Sequence, residues 1–262
     1  MGNVRESRWI HRLQSASDPD ARLIAFPHAG GSASYFFPLA QALRQAGQPL
    51  ALDVMAVQYP GRQERRREPC IDDLPTLADA VCREILLFAD RPLILFGHSM
   101  GSWVAFEVTR RLEQKHGITP LALFASGRRA PSITRQENIH QLPDSGIVKE
   151  IALLDGTDSV LLSDPEILQM ALPAIRGDYK AIETYAFHPG PRLQCPIHAV
   201  LGEADPRVSV DDARGWAKHT SGGFELSMAH GSHFYLKDQQ DFLAGKIVDR
   251  LTTLSAERTR HG

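Results

Sequence analysis

The chain has 262 residues, with 29 basic against 31 acidic side chains and a formal net charge of −2. That length can bury a sizeable core in one large domain or one domain with an insertion, and two independent domains are not expected. The near-balanced charge excludes a global electrostatic reason to bind nucleic acid or an anionic membrane, and the scattered Cys70, Cys82 and Cys195 suggest neither a disulfide framework nor a zinc cluster.

The first twenty residues alternate charge and polarity, with no apolar stretch of signal-peptide length, and no run elsewhere approaches the roughly 18 apolar residues of a membrane span. Neither export nor a membrane anchor is expected, and the cysteine usage fits a reducing cytoplasm. The first strong strand pattern is Arg22–Phe26, followed by the small-residue turn Pro27-His28-Ala29-Gly30-Gly31. A second apolar run covers Leu52–Gln58. Leu74, Leu77, Ala78, Val81 and Ile85 then recur at helical spacing. Pro92–Phe96 reads as a strand, Gly101, Ala105, Val108 and Leu112 as one helix face, and Leu121–Ala125 as another strand.

Residues 128–190 break this alternation, with helical patterns at Gly146–Leu154 and Glu166–Phe187 and no convincing strand. Strands at Pro196–Leu201 and Phe224–Met228 and a last helix at Phe242–Leu251 complete the chain. The pattern predicts an α/β fold: a mostly parallel sheet flanked by helices, formed by residues 1–127 and 191–262, with residues 128–190 inserted as a helical lid.

Phe96-Gly97-His98-Ser99-Met100-Gly101 matches G-x-S-x-G between a strand pattern and a helix pattern, which is the nucleophile elbow of α/β-hydrolases. Glycines on either side let the strand reverse sharply into the helix, so that Ser99 projects above the strand end. The helix start aims backbone N–H groups, beginning with that of Met100, at an oxygen that turns negative when a carbonyl is attacked. A second donor is assigned to the N–H of Ala29, because the small residues after the first strand allow close approach. His98 and Ser102 are read as packing residues.

A serine nucleophile needs a base, and the base needs an acid to orient it, in the chain order Ser, Asp or Glu, His. The turn Gly202-Glu203-Ala204-Asp205-Pro206 offers two carboxylates and His230-Gly231-Ser232-His233 two imidazoles. Asp205 is preferred because it lies further along the loop and precedes a proline, and His233 because it opens into Phe234-Tyr235-Leu236. The histidines lack metal-ligand spacing, and no glycine turn matches a nucleotide fingerprint, so neither a metal nor a cofactor is expected.

The chain resembles the type II thioesterases, the free-standing α/β-hydrolases that accompany nonribosomal peptide and polyketide synthases. The resemblance spans nearly the whole sequence and is carried by Phe26-Pro-His-Ala-Gly-Gly31, Gln58-Tyr-Pro-Gly-Arg62, Gly97-His-Ser-Met-Gly101, Ser126-Gly-Arg-Arg-Ala-Pro131, Leu172-Pro-Ala-Ile-Arg176 with Glu183-Thr-Tyr185, Gly202 to Asp205, and His233-Phe234. Ser232, where glycine or another small or acidic residue is expected, is a minor departure. The resemblance implies hydrolysis of acyl or aminoacyl thioesters from the phosphopantetheine arm of an acyl or peptidyl carrier protein, clearing misprimed or stalled units. Ser99, Asp205 and His233 would be the triad, and the amides of Ala29 and Met100 the oxyanion hole.

Further expectations follow. Met170, Leu172 and Phe187 are candidates to line an acyl channel under the lid, against packing of the lid onto the body. The basic run Arg62–Arg67 could dock an acidic carrier, although a solvated loop is the preferred reading. A small-molecule carboxylesterase or acyltransferase with the same triad, and a noncatalytic binding module, are the alternative functions. The oligomeric state is not legible, a monomer being the expectation.

Overall fold

A computed structural model describes residues 7–47, 51–155 and 164–261, with the backbone alone for Asp155 and residues 254–261. The strands are β1 (Ile10–Gln14), β2 (Ala21–Phe26), β3 (Leu52–Val57), β4 (Leu93–His98), β5 (Ala122–Ser126), β6 (Ile197–Gly202) and β7 (Phe224–Ala229). They form one sheet in the order β1-β3-β2-β4-β5-β6-β7. Every pairing is parallel except that of β1 with β3. β2 to β6 are buried along their whole length, which is why they read as continuous apolar runs.

The helices are α1 (Phe37–Gln45), α2 (Leu74–Ile85), α3 (Met100–His116), α4 (Asp144–Asp155), α5 (Pro165–Glu183), α6 (Val210–Arg214) and α7 (Gln240–His261). Alternate strand residues face opposite layers, as the two-residue period of a strand requires. Ile24, Phe26, Met55, Leu95 and Leu123 pack with Leu77, Val81, Val104 and Val108 of α2 and α3. Leu23, Ala25, Val54, Ile94 and Phe96 pack with Leu39 and Leu43 of α1 and Leu243 and Ile247 of α7. Each such aliphatic side chain contributes about 1.5–3 kcal/mol on burial, so the two layers hold the sheet from both faces.

β1 was not legible in the sequence. Of its five residues only Ile10 is buried, and the ladder to β3 is interrupted between Arg12 and Gln14. An edge strand with one face in water needs little apolar content, and its charges discourage pairing with another chain.

The registers align the carboxyl ends of the strands along one edge. Phe26 pairs with Gly97, His98 with Ser126, Ser126 with Val200, and Gly202 with Ala229. The loops leaving β2, β4, β6 and β7 therefore emerge side by side. Between β5 and β6 the described residues form α4, α5 and a short 3₁₀ turn at Ile139–Gln141, with no named strand. α5 starts where the Asp164 carboxylate accepts the N–H groups of Glu166 and Ile167, with Pro165 pre-set for the first turn. It ends at Glu183, four residues short of the predicted Phe187. No helix among the described residues is long and apolar enough to cross a membrane.

Candidate active site

Ser99 sits between the last residue of β4 and the first of α3, at φ 53° and ψ −119°. Such a conformation is strained for any residue with a side chain. It is held by neighbours: the Ser99 N–H donates to the Ser126 carbonyl at 2.8 Å, and the Ser102 hydroxyl reaches the Gly97 and Ser126 carbonyls at 2.8 Å each. A Cβ on Gly97 would lie 2.3 Å from the Gly101 carbonyl oxygen, and one on Gly101 only 2.0 Å from that of Phe26. Both positions therefore require glycine. Ser102 is a bracing residue.

His233 follows β7 and is buried, with 2% of its surface exposed. The geometry suits a donated Ser99 hydroxyl proton at Nε2, 3.0 Å away, while Nδ1–H donates to the Asp205 Oδ2 at 2.7 Å. The other Asp205 oxygen accepts the N–H groups of Arg207 at 2.8 Å and Val208 at 3.1 Å, which fixes the carboxylate. The competing pair points away: His230 and Glu203 have side chains 87% and 57% exposed and approach only to 3.4 Å. The structure thus brings Ser99, His233 and Asp205 together and leaves His230 and Glu203 in water.

Two other histidines sit close by but carry no charge. Burial, reinforced by repulsion from His233, Lys237 and Arg62, takes His28 down to about 3. Burial likewise holds His98 well below the usual imidazole range. Their rings pack with Tyr35 and Phe234 and support the His233 side of the site.

Ala29 follows β2 and borders the same cleft as Ser99 and His233. Among the described residues, the N–H groups of Ala29 and Met100 have no acceptor in the protein. The neighbouring loop is fastened from α5, an arrangement the sequence did not suggest. The N–H of Gly30, at φ +75°, donates to Asp178 of α5 at 2.7 Å. Arg62 binds the same carboxylate through Nη1 at 2.7 Å and Nη2 at 2.9 Å, and also donates to the Gly31 carbonyl at 3.3 Å. Burial opposes charge on Arg62, and the charge and hydrogen bonds of Asp178 outweigh it. Arg65 is buried too, holding the Gln58 carbonyl and Glu68. The basic run is therefore half internal: Arg66 and Arg67 are exposed, while Arg62 and Arg65 are structural.

A narrow cleft opens beside Ser99. Its walls include Ile139, Glu150 and Leu154, Tyr179 and Ile182 of α5, and Arg128, Arg129 and Arg207. None of the expected channel residues lines it. Met170 is 65% exposed on the outer face of α5, and Leu172 is buried in the core. Phe187 lies beyond the helix against Phe106 and His219. The reason is the helical period: Leu172, Ile175, Tyr179 and Ile182 form the inward stripe, and Met170 falls outside it. That stripe was present in the sequence as a signal.

A thioesterase-domain family model matches residues 21–251. Over 95% of its length the chain is 44% identical to the thioesterase PikA5 of Streptomyces venezuelae, covering 87% of that protein. It is 46% identical over 94% of its length to a probable cadicidin biosynthesis thioesterase of Streptomyces griseus, of whose length it spans only 66%. Among solved structures, the type II thioesterase BorB of the borrelidin biosynthetic cluster superposes with a TM-score of 0.87 at 45% identity, covering 95% of this chain and all of BorB. With the α/β-hydrolase sheet and this likeness over nearly its whole length, the chain belongs to the thioesterase family, among its type II members.

Proposed function

We propose that this protein hydrolyses acyl or aminoacyl thioesters carried on the phosphopantetheine arm of a carrier protein, with Ser99 as the nucleophile. His233 takes the Ser99 proton as the hydroxyl attacks the thioester carbon, and Asp205 orients the imidazole and stabilises its cation. The negative oxygen is received by the N–H groups of Ala29 and Met100. Collapse releases the phosphopantetheine thiol, which takes the proton from His233 and leaves an acyl ester on Ser99. His233 then activates water, and a second tetrahedral intermediate releases the acid and restores Ser99.

The observation that carries this reading is the unbroken line from the Ser99 hydroxyl through His233 to Asp205, at 3.0 and 2.7 Å, on a strained elbow. Relatives described as thioesterases of biosynthetic clusters support the thioester component. In the cell such an enzyme would act in the cytoplasm, clearing misprimed or stalled units. The helical segment between β5 and β6 supplies one wall of the cleft, which supports a lid that excludes water and limits acyl size.

The test compares acyl groups of equal length as carrier-bound thioesters and as oxygen esters. A strong preference for the carrier thioester is expected. Preference for the oxygen ester would move the reading to a carboxylesterase, and failure of Ser99 to react with a fluorophosphonate would move it to a noncatalytic module.

A further inference from the structure

Ser126 ends β5 and is wholly buried, yet it binds three groups of the elbow and one of the segment after β7. Its carbonyl accepts the Ser99 N–H and the Ser102 hydroxyl at 2.8 Å each. Its own hydroxyl lies 2.9 Å from His98 Nδ1 and 2.6 Å from the Tyr235 hydroxyl. Burial keeps the His98 ring neutral, and its Nε2 is enclosed with no hydrogen-bond partner. An N–H there would have no acceptor, so the ring proton belongs on Nδ1, which donates it to Ser126. Ser126 thus grips the elbow through backbone and side chain together.

Tyr235 extends that grip to the segment carrying the base. It stands two residues beyond His233 and opens the short 3₁₀ turn Tyr235–Lys237. Burial above all keeps its phenol protonated, so the hydroxyl stays available for the bond. Upstream, the segment is tied to the loop after β6: the Glu203 N–H donates to the Ala229 carbonyl and the Ala204 N–H to that of Gly231, at 2.9 Å each. His233 therefore lies between two anchors, and Ser126 supplies the downstream one. Gly127 closes the arrangement, because a Cβ there would lie 2.9 Å from His98 Cε1 and 3.5 Å from His233 Cε1. The end of β5 is the floor on which both rings rest.

Apolar side chains could fill this space with no polar group to desolvate, so the stabilisation from these hydroxyls is small; what they add is direction. Tyr235 packs in the same layer as Phe96 and Phe124, where its hydroxyl would be out of place without Ser126. We propose that Ser126 and Tyr235 are positioning residues that fix the approach of the Ser99 hydroxyl to His233 Nε2 without bonding to either side chain. This rests on the hydrolase reading above. Ser126 holds the nucleophile by its main chain and the base segment by its side chain, so one residue sets the separation of the two. A displacement of about 1 Å between reacting groups can cost about 100-fold in rate, which makes so indirect a hold consequential.

Tyr235→Phe deletes one hydroxyl and keeps the ring, and Ser126→Ala deletes the other. Each should lower kcat for a carrier-bound thioester about tenfold with KM unchanged, and slow the labelling of Ser99 by a fluorophosphonate by the same factor. The losses should not multiply: the double variant should be no slower than Ser126→Ala alone, since the two hydroxyls act through one bond. Calorimetry establishes that each variant is folded at the assay temperature. A variant that melts lower yet is labelled at the wild-type rate below its transition would show a structural role only and overturn the proposal, as would losses that multiply in the double variant. Should Tyr235→Phe fail to fold, Ser126→Ala decides the question on the same rates. A wild type that neither hydrolyses thioesters nor is labelled would overturn the hydrolase reading instead.

Discussion

Arg62 and Asp178, 116 positions apart, form a buried two-pronged pair at 2.7 and 2.9 Å, and the same carboxylate holds the N–H of Gly30 beside the proposed oxyanion donor Ala29. The side chain of Ile175, one turn earlier on α5, would be only 2.4 Å from a Cβ on Gly30, so the helix and the loop are in intimate contact. Any shift of α5 is thus transmitted to the loop that follows β2.

Asp178→Ala removes the acceptor for Gly30 and leaves Arg62 buried without a partner. Breaking a buried pair on one side is expected to cost about 3–5 kcal/mol. Urea unfolding should register that loss, and kcat should fall more than KM rises because the loop carrying the proposed oxyanion donor is released. A variant with wild-type stability would show that the pair contributes nothing net.

Ser99→Ala should reduce thioester hydrolysis by at least about 10⁴-fold, since members of a catalytic triad act as a unit. The fold should persist. Ser99→Gly should be equally inactive yet melt at a higher temperature, because glycine tolerates φ 53° and relief of that strain is worth about 1 kcal/mol. Calorimetry of the two variants side by side checks both statements, and an active Ser99→Ala enzyme would end the assignment of the nucleophile.

Gly101→Ala puts a methyl group 2.0 Å from the Phe26 carbonyl, against backbone that cannot yield without moving β2 from β4. Overpacking of this kind is expected to cost about 1–3 kcal/mol or more and to displace the elbow. Near-normal activity with unchanged melting would contradict the close approach.

Acid should destabilise the protein partly through His28. Its folded-state pKa, about 3, lies below the 6.5 of a free imidazole, so on acidification the unfolded chain takes up this proton first. The contribution is therefore fully present above pH 6.5 and is lost as pH falls through the window toward about 3. The slope is at most about 1.4 kcal/mol per pH unit. Urea midpoints at pH 7 and pH 4.5 should diverge less in His28→Gln than in wild type. Identical pH dependence would mean that the imidazole is not held neutral.

Much of the architecture was legible because its signals are local. A parallel sheet buried on both faces demands uninterrupted apolar runs, so β2 to β6 stood out, and α2 and α3 showed their periodic faces. The elbow was legible for the same reason at Gly97, whose steric limit is set by Gly101 and Ser102 within five residues of chain, whereas Gly101 answers to the Phe26 carbonyl of β2. Asp205 and His233 were reachable because the order of strands sends their loops to the same sheet edge as Ser99.

What only the tertiary structure decided depends on partners distant along the chain. Arg62 looked like one of several surface charges until Asp178 arrived from α5. β1, with Ile10 as its one buried residue, acquires its structure from the ladder of β3. Short-range sterics and periodicity are written into neighbouring residues, whereas the burial and pairing of a charge exist only after the chain has folded and brought its counterpart within about 3 Å.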